Sequence, residues 1–135
     1  MTTKISRFIL MLAAVLFTAV ALGFWVAPGQ IAERFGIAST SAAGIVSLRA
    51  DFGALFAAQA LFCGAAAWTN RRSWTLAAFV VVAFVAIGRA IGWIANGGPA
   101  GDVAGLAVEI VIIAALAVML RGSRPETEKP AAHPR

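Results

Sequence analysis

Four long apolar runs, Phe8 to Ala27, Ile45 to Trp68, Trp74 to Ala95 and Val103 to Leu120, take up most of this 135-residue chain. Each is near the roughly 20 residues that an α-helix needs to cross about 30 Å of hydrocarbon. A backbone in lipid must close its hydrogen bonds within itself, so runs of this length are predicted to be membrane-spanning helices. Strands would alternate apolar and polar positions, and these runs do not. Composition agrees. Charged residues make up 13% of the chain, against about 25% in a soluble domain.

The links between runs restrict the topology. Pro28-Gly29 is a helix-ending pair after the first run. T-N-R-R-S at residues 69 to 73 and N-G-G-P-A-G-D at 96 to 102 are short, which makes sequential helices antiparallel neighbours. The expected fold is all-α, an integral membrane up-down-up-down four-helix bundle over residues 8–120. Residues 1–7 form an N-terminal segment and 121–135 a flexible tail. The longer link, residues 28–44, contains Q-I-A-E-R-F-G-I and fits either a short interfacial helix or an ordered loop. Lys4 and Arg7 ahead of the first run, with Ala19-Val20-Ala21, resemble a secretory signal. The run continues through Trp25-Val26-Ala27, long enough to span, and is read as a retained helix.

Lys and Arg set the expected orientation. Lys4, Arg7, Arg71, Arg72, Arg121, Arg124, Lys129 and Arg135 precede the first run, lie between the second and third, or follow the fourth. The opposite side has only Arg34, beside Glu33. Both termini are therefore expected to be cytoplasmic, in a multi-pass protein of the cell membrane (the cytoplasmic membrane in a bacterium). Trp68 and Trp74 then fall at the inner interface, Trp25 and Trp93 at the outer one. The net charge of +5 reflects this orienting pattern; no basic stripe interleaved with aromatics points to nucleic acid.

Cofactor chemistry finds little support. Cys63 and His133 are the only cysteine and histidine, and His133 lies in a Pro-rich tail. An internal disulfide is excluded, and no metal site or cofactor is expected.

S-L-R-A-D-F-G-A-L-F at residues 47 to 56 sets two charges inside an apolar run. At 1.5 Å per residue, Arg49 and Asp51 fall about 6–9 Å deep from the outer side, and Arg89 and Glu109 roughly 9 Å deep. A charge at mid-membrane costs about 2.5–3.5 kcal/mol even on a lenient scale. The expectation is thus a neutral layer of four facing charges, with Arg89 paired to Asp51 or Glu109 and Arg49 to the other carboxylate. Gly88 with Gly92, and Gly101 with Gly105, are small-xxx-small pairs that suit close helix packing or leave space for a ligand. Gln59 either extends the polar layer inward or bonds a neighbouring backbone. Trp93 and Asn96 are candidates for an outer mouth, and Cys63 reads as a packing residue.

L-R-A-D-F-G-A-L-F at 48 to 56, G-R-A-I-G at 88 to 92, V-E-I at 108 to 110 and W-V-A-P-G-Q-I-A-E-R-F-G-I at 25 to 37 together resemble the domain-of-unknown-function 4345 membrane family. The resemblance spans roughly residues 8 to 120. It implies a small four-helix membrane protein, similar in size and topology to DoxX-like proteins, and implies no reaction. By position, it marks Arg49, Asp51, Gly53, Arg89 and Glu109.

The leading functional expectation is a non-enzymatic membrane binding or accessory module. Its ligand-facing residues would be Arg49, Asp51, Arg89, Glu109, Gln59 and Trp93, its partners the lipid bilayer and a lipophilic small molecule, with a homo-oligomer also open. The alternative is a membrane-embedded enzyme of isomerase-like chemistry, in which Glu109 or Asp51 moves protons and an arginine stabilises an oxyanion. The second alternative, small-solute or proton-coupled transport, needs a polar path, and below Gln59 no ionisable residue continues one.

Overall fold

A computed structural model describes residues 2–38, 41–96 and 103–122. The tail after Gly122, with His133, and the connection 97–102, with Gly101, lie outside the described residues. The elements are α1 (Thr2–Val26), α2 (Pro28–Arg34), α3 (Ala42–Ser47), a π-helical segment (Leu48–Gly53), α4 (Ala54–Thr69), α5 (Arg72–Asn96) and α6 (Val103–Gly122). Because α3, the π-helical segment and α4 are continuous, four helices are long and apolar enough to cross a membrane: Thr3–Val26, Ala42–Thr69, Arg72–Asn96 and Val103–Gly122.

These helices outrun the apolar stretches of the sequence. The first begins before Lys4 and Arg7, and the third takes in Arg72 and Asn96. Apolar content marks what suits hydrocarbon, whereas helical hydrogen bonding continues past it, with long basic side chains reaching toward water.

The link after α1 is a short helix followed by a turn. Pro28 occupies the first position of α2, where its missing N–H costs no helical bond. The helix stops at Gly36, whose φ of +70° is left-handed. Ile37 N donates to the Ala32 carbonyl at 2.9 Å and Gly36 N to that of Glu33 at 3.0 Å, the paired bonds of a Schellman ending. Ala32 is fully buried, so α2 packs on the bundle end. Ser41 then caps α3, its hydroxyl accepting from Gly44 N at 3.0 Å. At the other end of the bundle, Asn70 adopts φ 52° and closes α4 on the Ala66 carbonyl.

Helix α1 packs on α4, α4 on α5, α5 on α6 and α6 back on α1, closing a ring of antiparallel neighbours. Two buried clusters fill it. Near the chain termini, Leu10, Phe17, Val82, Ile112, Leu116 and Met119 interlock with alanines 13, 14, 60, 66, 67, 78 and 115, and Cys63 fills space among them. Near the α2 end, Phe24, Ala32 and Leu48 are enclosed by Val20, Ile31, Phe52 and Phe56. The outward surface is itself apolar: Val15, Leu61, Phe84, Ile91 and Ile94 are all exposed, as contact with lipid tails requires.

The expectation for one glycine pair is corrected. Nothing lies within 4 Å of a Cβ at Gly88 or Gly92, so this pair faces outward from α5 and draws no helix in. The close approaches occur at Gly23, where a Cβ would meet Ile31 of α2, and at Gly53, where it would meet the Trp25 indole.

Candidate functional site

Two of the four intramembrane charges meet. Glu109 on α6 is 7% exposed, a burial that a carboxylate tolerates only with donors against it. Arg89 on α5 supplies them. Its Nη2 donates to Oε1 at 2.8 Å, and its Nε lies 3.2 Å from each carboxylate oxygen. The rigid planar fork of a guanidinium matches a carboxylate in this way, and it stays charged at any physiological pH.

The expected four-charge layer reduces to this pair. Arg49 is exposed, and its Nε donates to the Trp25 carbonyl at 3.2 Å, near the C-terminal end of α1. Asp51 is also exposed and is in no ion pair among the described residues. The reason is local. Residues 48–53 form a wide π-helical turn, so directions read at α-helical spacing misplace both side chains. Arg49 instead belongs to a recurring arrangement. Arg7 donates to the Ala67 and Trp68 carbonyls at 2.6 and 3.2 Å, and Arg72 to that of Leu120 at 3.4 Å. Each arginine satisfies carbonyls at the C-terminal end of a neighbouring helix, where the macrodipole is negative.

Beside the Arg89–Glu109 pair lies a cavity of about 280 Å³. It forms where the two buried clusters meet, and its walls are mostly apolar: Phe17, Val20, Phe35, Phe56, Val82 and Val85 among them. Three of these rings belong to one aromatic cluster, Phe56 lying 6.0 Å from Phe17 and 5.9 Å from Phe35 between centroids. The polar lining residues are Gln59, Arg89 and Glu109.

Gln59 stands out. It is 3% exposed, yet its amide has no hydrogen-bond partner among the described residues. The only wholly enclosed side-chain polar atom without a partner among those residues is Asn70 Oδ1. The Gln59 amide therefore keeps its remaining access through the cavity it lines. An unpaired buried amide costs on the order of 1–3 kcal/mol, a cost that a hydrogen-bonding occupant would offset. Of the two readings for Gln59, no bond to a neighbouring backbone is present among the described residues; it lies on the same cavity wall as Arg89 and Glu109.

The cavity reaches the surface between α1 and α6, where Leu16 and Val108 on its rim are 47% and 41% exposed. An apolar groove of about 490 Å³ starts from the same two residues and runs past Ile9, Leu12, Val111 and Ile112. Trp93, expected at a mouth, is half-buried and absent from the cavity wall. Asn96 turns back onto its own helix, Nδ2 donating to the Gly92 carbonyl at 2.8 Å. Phe17, Phe56 and Leu16 were invisible as site residues in the sequence, because an apolar residue in an apolar run carries no mark, and Phe35 stood in the 28–44 link with nothing to tie it to the charges. Gly105, on the wall opposite, stood out only as half of a glycine pair. Among the described residues the arrangement is a mostly apolar pocket with one ion pair and one amide that has no hydrogen-bond partner. No family model matches this chain, and no curated protein or solved structure matches it either.

Proposed function

We propose that this protein is a membrane-embedded binding module that holds a lipophilic small molecule in the cavity beside Arg89 and Glu109. The observation that carries the reading is the unpartnered, buried Gln59 amide on the wall of an otherwise apolar space. Small-molecule sites combine apolar walls with a few convergent polar groups in this manner. Access from lipid is supported by the rim between α1 and α6.

Acid–base catalysis by Glu109 is the weaker reading. Both carboxylate oxygens accept from Arg89, which suits a fixed structural pair better than a group that exchanges protons with a substrate. Asp51, the other candidate, does not line the cavity. A transport path is likewise unsupported, since the cavity floor below Gln59 is the alanine-rich core.

The proposal includes an orientation and a location. The clustering of Lys and Arg near the termini and in the 69–73 link puts that end in the cytoplasm. The cavity then lies toward the outer leaflet of the cell membrane. Kinship with the domain-of-unknown-function 4345 family is part of the same proposal and rests on the motifs quoted above.

Native mass spectrometry of protein extracted in mild detergent tests the function. Wild type should retain a bound small molecule that Gly105→Leu, which adds bulk at the cavity wall, releases. Arg34→Ala, whose exposed side chain is not part of the cavity wall, should retain it. Identical spectra for all three proteins would refute the proposal.

A further inference from the structure

The chemistry of the cavity and the groove leading from it narrows the occupant. We infer that the ligand is a single-chain amphiphile with an uncharged hydroxyl- or carbonyl-bearing head, the head against Gln59 and the chain along the α1–α6 groove. This inference rests on the binding proposal above and adds the identity of the two ends.

The head group follows from charge and hydrogen bonding. Arg89 pairs with Glu109 within the wall, and among the described residues no other ionisable side chain lines the cavity. An anionic head would meet the Glu109 carboxylate with no added cation to compensate it. A cationic head would meet the Arg89 guanidinium. Either would carry the desolvation cost of a charge in the membrane. A neutral head avoids it. The Gln59 amide offers both a donor and an acceptor, and a hydroxyl offers both in return, whereas a carbonyl uses the amide N–H₂ alone.

Size sets the rest. A space of about 280 Å³ lies at the small end of the roughly 300–1,000 Å³ of ligand pockets. A long-chain lipophile therefore extends beyond the cavity. The groove provides the continuation, because Leu16 and Val108 line both spaces. From Leu16 to Ile9 the groove follows α1 for seven residues, about 10 Å at 1.5 Å per residue. Its lining is apolar throughout: Ile9, Leu12, Leu16, Val108, Val111 and Ile112 with two alanines. A hydrocarbon chain matches that lining.

Photocrosslinking in phosphatidylcholine nanodiscs tests the inference. The probes are a long-chain fatty alcohol, the matching fatty acid and the matching alkylamine, each with a diazirine near the chain end. The alcohol should label peptides containing Ile9 to Leu16 and Val108 to Ile112, and Gln59→Leu should reduce that labelling about tenfold, the equivalent of one lost buried hydrogen bond. Acid and amine should label the groove at least tenfold less. Val111→Trp, which fills the groove outside the cavity, should abolish labelling by the long alcohol while a short-chain alcohol still labels the cavity wall. Equal labelling by all three probes would overturn the neutral head. Alcohol labelling spread over outward residues such as Phe84 and Ile94 would overturn the chain path. If either occurs while Gly105→Leu still releases the native molecule, the inference fails and the binding module stands; if Gly105→Leu changes nothing, both fail.

Discussion

Arg89→Ala leaves Glu109 in a low-dielectric site with no cation against it. Breaking a buried pair from one side costs about 3–5 kcal/mol. The Arg89 side chain is 21% accessible, against 9% for that of Glu109, and couplings within membranes run below those expected for full burial. We therefore take the lower end, about 3 kcal/mol, which for a chain of this size lowers Tm by roughly 10 °C. Arg34 is exposed on α2, and Arg34→Ala should fall within about 0.5 kcal/mol of wild type. The diagnostic variant removes both charges. Arg89→Leu with Glu109→Leu replaces the pair by apolar side chains and should recover most of the loss, since well-packed apolar replacements of a buried pair are commonly neutral. The assay is thermal unfolding of the four proteins in one detergent, followed by tryptophan fluorescence. Equal Tm values for Arg89→Ala and Arg34→Ala, or a double variant no more stable than the single one, would refute the reasoning.

Three further outcomes are expected. Arg49→Ala should cost only about 0.3–1 kcal/mol, because Arg49 serves the α1 end and not a buried carboxylate; a loss as large as that of Arg89→Ala in the same melts would restore it to the charged layer. Gly23→Val should destabilise by about 1–3 kcal/mol, since even a Cβ there lies 2.9 Å from Ile31 Cγ1, whereas Gly88→Val, with open space around it, should leave Tm within about 0.5 kcal/mol of wild type; equal effects would mean the close approach of α2 is wrong. Gln30→Cys, exposed on α2, should react with an impermeant thiol reagent on intact cells while Ser73→Cys reacts only after permeabilisation; the reverse order would invert the orientation.

The four helices were legible because lipid imposes a length and forbids open backbone bonds, and apolar runs report both constraints directly. The Arg89–Glu109 pair was legible as one of two options, since depth along two straight helices places those residues at one level. Arg49 and Asp51 were not. Depth puts a residue in a layer, but direction around the axis depends on the local helical repeat, and the π-helical turn at Leu48–Gly53 changes that repeat. Gln30 to Ile37 left helix and loop equally open, although Gly36 followed by Ile37 carried the signature of the Schellman ending that closes α2. The cavity was the least legible feature. It exists because Phe17, Phe56, Val85 and Gly105 from four different helices fail to fill a common space, and no pattern along one chain encodes that shortfall.

The claim that the cavity is a binding site is tested most directly by a high-resolution map of the protein extracted together with its native lipids. We expect non-protein density against the Gln59 amide, bounded by Phe17, Phe56 and Glu109 and continuing between Leu16 and Val108. A map in which Gln59 turns to a backbone carbonyl and the Phe17 and Phe56 rings close the space would contradict it.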